Sequence, residues 1–373
     1  MKVAIYHRKL ETLGGGERVA LTIASELIDK NHSVTIYSTT DYEKSFYEEF
    51  YGIDLSKVFI KRLPIYTPNN SIVSYIQYYL HYIIPIYLSD CTYDFIIDTS
   101  SNGFQLIKKN HSKIICYIHY PRLRFPEKVA WKLFISPLRK YLGYSYDSYA
   151  KVLCNSNFTK EEVKKFTKND IEVIYPPVVI YKNPHPPQKE QLICTVGRIA
   201  PEKNFEVMIE SFRKIHDYYP EWKFAIVGSH KDFKYLQKIQ KLGRNLPIEY
   251  YYSVTNEDVD QIYGRASIYW HAKGYNVSDS SLFEHFGIST VEAMSHGCIP
   301  VVINKGGQCE IVDHGCNGYR WDKPEELIQF TSYVISGNES QNRQMRINAI
   351  EKSKKFSEDV FKEKIRTLIK ELN

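Results

Sequence analysis

Short apolar runs alternate with amphipathic segments along almost the whole chain, and this alternation predicts an α/β fold with parallel sheets. The first run, KVAIYH from Lys2, is followed by GGGERVALTIASELIDKNH, whose apolar residues share one helical face. Further predicted strands are SVTIYST, YDFIIDTS, KIICYIHY and KVLCNS. Ligands of such sheets bind at the carboxyl ends of the strands. Functional residues are therefore expected directly after the apolar runs.

The alternation is interrupted once, near the middle of the chain. The segment IEVIYPPVVIYKNPHPPQ, which begins at Ile171, is rich in proline and is predicted to be a linker without regular structure. Beyond it, LICTVGR, WKFAIVGS, SIYWHA and IPVVIN are predicted strands with helices between them. The 373 residues fit two domains of ordinary size. We predict two doubly wound domains facing a central cleft, residues 1–175 and 176–354, with an amphipathic helix at 355–373 returning to the first domain.

Composition and charge exclude several classes of protein. With 43% apolar and 25% charged residues, the chain has the proportions of a folded soluble protein. A net charge of +6 suits an anionic small molecule and is too small for a dedicated nucleic-acid binder. The N-terminal apolar run is too short for a signal peptide, and no apolar stretch of about 20 residues predicts a membrane-spanning helix. Four cysteines beside apolar residues are predicted to be buried thiols in a reducing, cytoplasmic compartment: Cys116, Cys154, Cys194 and Cys298.

A glycine-rich segment, Gly14-Gly15-Gly16-Glu17, follows the first predicted strand and opens a helix. Such glycines let the backbone approach a ligand closely, and the free N–H groups at a helix start favour an anion. The alternative is a flexible turn that needs positive φ angles. The segment matches neither GxxxxGK[ST] nor GxGxxG, so it indicates neither a P-loop nor the dinucleotide site of an oxidoreductase.

Two basic side chains, Arg198 and Lys203, follow the first strand of the second predicted domain in VGRIAPEKN. Arginine offers a planar fork of donors and lysine a compact charge, so together they suit a diphosphate. The alternative is a solvated basic turn.

Two carboxylates, Glu284 and Glu292, lie eight residues apart in FEHFGISTVEAM, after the strand SIYWHA. We expect the hydroxyls of Ser289 and Thr290 to cap the helix that contains Glu292, and the N–H groups at its start to face an anion. Each carboxylate can accept the paired hydroxyl hydrogen bonds that a sugar or ribose ring offers. The alternative is an arrangement of caps and salt bridges.

These motifs, in this order and at these separations, resemble the family 4 glycosyltransferases of the GT-B fold. The resemblance is strongest from Ile193 to Trp321 and includes GGGERV and YIHYP, around His119, in the first domain. Taken together, GGGERV, YIHYP, EHFGIS-VEAM and the GGQCEIV-GCNGY segment are most similar to the mannosyltransferases that extend dolichol-linked oligosaccharide on the cytosolic face of the endoplasmic reticulum. The resemblance implies two Rossmann-like domains. It also implies transfer of a hexose, with GDP-mannose favoured as donor, to a glycan or lipid-linked glycan with retention of configuration.

The resemblance also implies a role for each motif. Arg198 and Lys203 would hold the diphosphate, Glu292 the ribose and Glu284 the sugar ring, with His119 beside the transferred sugar. Catalytic roles fall on Glu284, Arg198, Lys203 and His119, and donor binding on Gly15, Gly16, Arg198, Lys203, Glu284, Phe286, Gly287, Ile288 and Glu292. The same fold acting as a sugar-nucleotide hydrolase or phosphorylase, and a non-catalytic nucleotide-sugar binder, remain alternatives.

No metal or other cofactor is expected. The one DxD motif, Asp258-Val-Asp260, lies at the start of a predicted helix, where acidic residues favour the helix dipole. Family members with the GT-B fold also bind no essential metal, which the resemblance extends to this chain.

The stretch 105–142 interleaves basic and aromatic residues. On a helix this pattern suits an anionic membrane surface and a lipid-diphosphate acceptor. The alternative is a helix packed on its own domain with a solvated basic face. The protein is expected in the cytoplasm, and the membrane interpretation of this stretch adds a peripheral position at the inner face of a membrane. The basic residues are Lys108, Lys109, Lys113, Arg122, Arg124, Lys128, Lys132, Arg139 and Lys140.

Overall fold

The computed structural model describes residues 1–7, 9–11, 13–39, 43–62, 93–100, 114–121, 146–182, 188–230, 232–252 and 254–371. Within these ranges the chain forms two compact units. The first unit combines Met1–Pro177 with Phe361–Asn373, and the second is Val178–Val360. Each unit is built on one parallel sheet, so the predicted doubly wound α/β class is confirmed.

The described strands of the first unit are β1 (Lys2–Tyr6), β2 (Ser33–Ser38), β3 (Phe59–Arg62), β4 (Phe95–Asp98), β5 (Ile114–Ile118), β6 (Lys151–Cys154) and β7 (Ile171–Val173). They lie in the order β3-β2-β1-β4-β5-β6-β7, and every neighbouring pair is parallel. Strands β4 and β5 are buried along their whole length, as in parallel sheets covered on both faces. The order reverses between β1 and β4, and ligands of such sheets bind beside the carboxyl ends of the strands at this switch point.

The described strands of the second unit are β8 (Glu190–Val196), β9 (Lys223–Val227), β10 (Ile248–Tyr251), β11 (Ala266–His271), β12 (Ile299–Ile303) and β13 (Tyr319–Trp321). They form a parallel sheet in the order β10-β9-β8-β11-β12-β13. The order reverses between β8 and β11. The residues that follow these two strands therefore occupy the position at which this fold binds ligands.

Helices follow the strands in both units. In chain order the described α-helices are α1 (Gly15–Asp29), α2 (Lys44–Tyr51), α3 (Asn157–Val163), α4 (Phe205–Tyr218), α5 (Phe233–Leu242), α6 (Asn256–Arg265), α7 (Ile288–Ser295), α8 (Gln308–Ile311), α9 (Pro324–Ser336), α10 (Glu339–Lys354) and α11 (Glu358–Glu371). No helix in the ranges that the structure covers is long and apolar enough to cross a membrane. The four cysteines that were predicted to be buried are buried.

Helix α11 returns to the first unit, as predicted. Its Arg366 Nε donates to Glu26 Oε1 at 2.6 Å, and the side chain of Glu26 is only 4% exposed. Four of its apolar side chains join the buried cluster around β1 and α1: Phe361, Ile365, Leu368 and Ile369.

One prediction about the middle of the chain is wrong, and another lies outside the described residues. The linker prediction is wrong at its start, because Ile171–Val173 forms the edge strand β7 and Ile171 pairs with Val152 of β6. Three residues before a proline pair are too short a run to be distinguished from a linker by their pattern. The basic residues predicted at 105–142 to face a membrane lie outside the described residues.

Candidate functional site

The carboxylate of Glu284 lies beside the switch point of the second sheet and contacts three basic side chains. Its Oε2 accepts a hydrogen bond from Lys203 Nζ at 2.7 Å and lies 3.4 Å from His271 Nε2. Its Oε1 lies 3.5 Å from Lys273 Nζ. Lys203 belongs to the loop after β8, whereas His271 ends β11 and Lys273 follows it. The two strands that flank the switch point therefore place their basic groups around one carboxylate.

The surroundings of Glu284 keep it ionised. Burial by itself would raise the pKa of this carboxyl, but the charges of Lys203 and Lys273 and the hydrogen bond from His271 hold the pKa well below its usual range. Burial lowers the pKa of His271, so this imidazole is neutral at pH 7. Because its partner is a carboxylate, which only accepts, we assign the proton to Nε2.

Asn204 fixes the loop that carries Lys203. A short 3-10 turn, Pro201–Lys203, ends at Asn204, which adopts the left-handed conformation with φ 55° and is the N-cap residue of helix α4. Asparagine tolerates this conformation better than most side chains. Its Nδ2 donates to the carbonyl oxygen of Ala272 at 3.1 Å. This bond ties the loop after β8 to the end of β11, so that Lys203 and Lys273 are held on the same carboxylate.

Arg198 is placed differently from Lys203, although both follow β8. A guanidinium nitrogen of Arg198 donates to Glu202 Oε1 at 2.6 Å, and the Arg198 side chain is 53% exposed, against 20% for Lys203. Lys203 thus lies in a shielded cluster, whereas Arg198 lies at the solvent edge of the same loop.

Two glycines of the GGQCEIV segment support the backbone at Glu284. Gly307 N donates to the carbonyl oxygen of Glu284 at 2.8 Å. A Cβ atom at Gly306 would clash with that same carbonyl oxygen, and a Cβ at Gly307 would clash with the backbone of Phe286. Gly306 also has φ +61°, which favours glycine. The position of Glu284 therefore depends on a close backbone approach that other residues would block.

Replacing Gly306 with alanine should destabilise the second unit more than the same change at Gly315. Both glycines have left-handed φ angles, +61° and +76°, but a Cβ at Gly315 would meet nothing within 4 Å. Both variants bear a conformational cost of about 1–2 kcal/mol, and Gly306→Ala adds an overpacking cost of about 1–3 kcal/mol. For a unit of this size each kcal/mol lowers the melting temperature by roughly 2–4 °C. Equal melting temperatures of the two variants in differential scanning calorimetry would contradict this prediction. They would show that the backbone at Glu284 shifts to accommodate the added Cβ without a loss of stability.

The second carboxylate, Glu292, lies in helix α7 in a different environment. Tyr263 Oη lies 3.4 Å from its Oε2. The predicted capping is wrong, because α7 begins at Ile288 and its N-cap residue is Gly287. Ser289 and Thr290 lie inside the first turn, and their hydroxyls contact Tyr269 Oη at 2.8 Å and Gln308 Oε1 at 3.0 Å.

Phe286 was predicted to contact the donor. Its side chain is 3% exposed and packs against the ring of Phe356, with the ring centroids 5.3 Å apart. The ring of Phe286 therefore packs within the second unit.

The residues predicted in the first unit also come together. Helix α1 begins at Gly15, at the carboxyl end of β1, and a Cβ at Gly16 would lie 3.5 Å from His119 Nε2. Gly14 has φ −116°, so the alternative of a turn with positive φ is wrong for this residue. Gly14 N donates to Glu17 Oε2 at 2.8 Å, which closes the start of the helix.

A buried network behind the glycine segment escaped the sequence analysis. Glu17 Oε1 lies 3.2 Å from His7 Nε2, and His7 Nδ1 lies 2.9 Å from Thr99 Oγ1. His7 follows β1 and Thr99 follows β4, the two strands at the switch point of the first sheet. The sequence signal that could have identified His7 and Thr99 is their position directly after apolar runs.

The DxD motif has a structural explanation. Asp258 N donates to Thr255 Oγ1 at 3.1 Å, and Thr255 N donates to Asp258 Oδ2 at 2.9 Å, which is the capping box of helix α6. These hydrogen bonds lower the pKa of Asp258. Among the described residues, no three His, Cys, Asp or Glu side chains form a group that could hold a metal ion.

Two families of known proteins match consecutive parts of the chain. Residues 13–182 match Glycosyltransferase Family 4, and residues 180–355 match Glycosyl transferases group 1. The first match includes the glycine segment and His119, and the second includes both carboxylates and the basic loop after β8.

Individual relatives cover most of the chain. It is 26% identical to the alpha-1,3/1,6-mannosyltransferase ALG2 of Candida glabrata, over 92% of this chain and 86% of the relative. It is 23% identical to the GDP-Man:Man(3)GlcNAc(2)-PP-Dol alpha-1,2-mannosyltransferase of Dictyostelium discoideum, over 70% of this chain and 59% of that protein. The solved structure of Anabaena HepE in complex with UDP-glucose has a TM-score of 0.70 at 15% identity, over 100% of both chains. The fold is that of the GT-B enzymes.

Proposed function

Because this chain joins a family 4 domain to a group 1 domain, it belongs to the family 4 glycosyltransferases, and we propose that it transfers a hexose from a nucleoside-diphosphate sugar to a glycan or lipid-linked glycan acceptor. The observation that carries this proposal is the Lys203–Glu284 pair beside the switch point of the second sheet. In this pair, Lys203 supplies a cation that can bind a diphosphate, and Glu284 supplies a carboxylate that can accept hydrogen bonds from sugar hydroxyls. Mannose, with GDP-mannose as donor, is supported by the names of the relatives, which are mannosyltransferases.

In the proposed reaction, the bond between the anomeric carbon and the diphosphate oxygen breaks and negative charge develops on the leaving diphosphate. Lys203 stabilises this charge from a shielded position, where electrostatic interactions are stronger than in water. Arg198 contributes from the more exposed side of the same loop. In the first unit, the helix start at Gly15 offers N–H groups to an anion, and His119 lies beside them.

Retention of configuration is a further part of the proposal, and it rests on the family resemblance. The acceptor hydroxyl oxygen would bond to the anomeric carbon on the face that the diphosphate leaves, and the hydroxyl proton would pass to a diphosphate oxygen. Glu284 would orient the ring through its hydroxyl groups, and Glu292 would hold the ribose.

A panel of donors tests the proposal on the full chain. Thermal unfolding is measured with GDP-mannose, UDP-glucose, UDP-N-acetylglucosamine and ADP-glucose, and a ligand at about 100 times its Kd adds about 2.7 kcal/mol of stability. We expect GDP-mannose to stabilise most. Release of nucleoside diphosphate is then followed with and without a lipid-diphosphate-linked oligosaccharide. Release that does not depend on the acceptor would support a hydrolase, and binding without release would support a non-catalytic binder.

The same assay tests whether the lysine and arginine charges suffice without a metal. We expect transfer to persist in EDTA, because Lys203 and Arg198 supply the cationic groups that a divalent ion supplies elsewhere. Loss of transfer in EDTA and recovery with Mg²⁺ or Mn²⁺ would revive Asp258 and Asp260 as candidate ligands.

A further inference from the structure

Glu284 has two lysine partners, and they are on different oxygens. Lys203 Nζ contacts Oε2 at 2.7 Å and Lys273 Nζ contacts Oε1 at 3.5 Å. The side chain of Lys273 is 19% exposed, so its charge is about as shielded as that of Lys203. The motifs of the sequence analysis account for Lys203 but assign nothing to Lys273.

The proposed function gives Lys203 two competing partners. In the structure it occupies Oε2 of Glu284, the oxygen that a sugar hydroxyl would otherwise use. A donor diphosphate carries more charge than one carboxylate and would draw Lys203 away from Oε2. Glu284 would then remain in a largely buried position with one fewer cation, and burial favours the protonated, neutral carboxyl.

We propose that Lys273 is the positioning residue that keeps Glu284 ionised and oriented after Lys203 turns to the donor diphosphate. This inference rests on the proposed function. Lys273 holds Oε1 while Oε2 becomes free to accept hydroxyl hydrogen bonds from the transferred sugar. The two lysines thus have separate roles. Lys203 moves from Glu284 to the donor diphosphate, whereas Lys273 remains paired with Glu284.

The backbone around Lys273 is held on both sides, as a fixed partner requires. The carbonyl of Ala272 accepts from Asn204 Nδ2 at 3.1 Å. Lys305 Nζ donates to the carbonyl oxygens of Gly274 at 3.0 Å and Val277 at 2.7 Å. Lys305 therefore supports the same loop as Lys273 through backbone carbonyl oxygens.

Other titratable groups also act on Glu284 and its surroundings. Neutral His271 lies 3.4 Å from Oε2, and the buried phenol of Tyr269 lies on the same strand β11. Burial would raise the pKa of Glu202, but hydrogen bonds from its own backbone and from Arg198 lower it, and the charges of Arg198 and Lys273 lower it further. In the part of the chain that the structure describes, the charged partners of Glu284 are thus Lys203 and Lys273.

Kinetics of three variants test the assignment: Lys273→Met, Lys273→Arg and the control Lys238→Met, which lies outside this loop. For Lys273→Met we expect kcat to fall by roughly tenfold, within the range for coupled contacting groups, with nucleoside-diphosphate affinity within twofold of normal. The acid limb of the kcat profile should move to higher pH. Lys273→Arg, which keeps the positive charge, should restore kcat and the position of the acid limb. Lys238→Met, which removes an equal charge from a side chain that is 65% exposed and paired with Glu206, should leave both kcat and the acid limb unchanged.

A second measurement needs no substrate and separates this inference from the proposed function. An ionised Glu284 with a lowered pKa stabilises the fold above its unfolded-state pKa, and this contribution is lost as pH falls through the folded-state pKa. The free energy of unfolding is compared between each protein and its Glu284→Gln counterpart as a function of pH. In the Lys273→Met background the contribution of Glu284 at neutral pH should be smaller, and its loss should be complete at a higher pH than in the parent.

Either of two results would overturn the inference. One is an identical pH dependence of the Glu284 contribution with and without Lys273. The other is a loss of nucleoside-diphosphate affinity as large as the loss of kcat, since that would place Lys273 on the phosphate itself. A protein that binds no nucleoside diphosphate at all would overturn the proposed function, while the unfolding comparison would still decide the pairing of Lys273 with Glu284.

Discussion

Replacing Lys203 with alanine should lower the rate of sugar transfer by a factor on the order of 10²–10³ and weaken nucleoside-diphosphate binding. The variant loses the shielded cation for the diphosphate and removes from Glu284 its closest partner, at 2.7 Å. Arg198→Ala should have a smaller effect in the same direction, because the Arg198 side chain is 53% exposed and its charge is screened by solvent. Steady-state kinetics and titration calorimetry with the diphosphate measure both effects.

Lys238→Ala is a matched control for the loss of a lysine in the second unit. Its Nζ lies 2.9 Å from Glu206 Oε1, but the Lys238 side chain is 65% exposed, and such surface pairs contribute only about 0–1 kcal/mol. This variant should transfer sugar at the normal rate. Full activity in Lys203→Ala would refute the assignment of the diphosphate site to the loop after β8.

Separate substitution of the two carboxylates should distinguish an effect on donor binding from an effect on the rate of sugar transfer. Glu292→Gln should weaken the nucleoside diphosphate and the whole donor alike, because the ribose is present in both. Glu284→Gln should lower kcat by a factor on the order of 10² while diphosphate affinity stays near normal, because its hydrogen bonds are made to the transferred ring. Glutamine keeps the size of the side chain but accepts through one oxygen only and has no charge.

Calorimetry with the diphosphate, beside kinetics with the intact donor, measures the two variants. Glu284→Gln also removes the carboxylate that pairs with Lys203, which leaves this lysine available to the diphosphate. We therefore expect the diphosphate affinity of this variant to be equal to or higher than that of the parent. Equal losses of diphosphate affinity in the two variants would refute the division of labour. The eight-residue spacing of the glutamates would then be a feature of the fold and not of the reaction.

The loops that carry Lys203 and Glu284 could be predicted from the sequence as functional. Lys203 and Glu284 stand after the apolar runs that form β8 and β11, and parallel strands bring such positions to one edge. His271 and Lys273 belong to the same cluster but were not identified. They precede Glu284 by 13 and 11 residues. Only the path of the intervening loop, which the local pattern does not specify, brings them to the carboxylate.

Capping was less predictable than strand position. Hydroxyls at Ser289 and Thr290 favour a helix start, but Gly287 takes the N-cap position and both hydroxyls turn to tertiary partners. Gly306 and Gly307 were recognised only as part of a motif. Their role follows from a close approach of two distant backbone segments, which no local rule contains.

Helix α11 has a consequence for how the chain is made. The core around β1 includes side chains between Phe361 and Ile369, which are translated after the whole second unit Val178–Val360. At about 5–20 residues per second, ribosomes need on the order of ten seconds or more to reach them. Throughout that interval the nascent first unit exposes the apolar surface that α11 will cover. The second unit ends at Val360, before these side chains, so the core of the unit that begins first in translation is completed last.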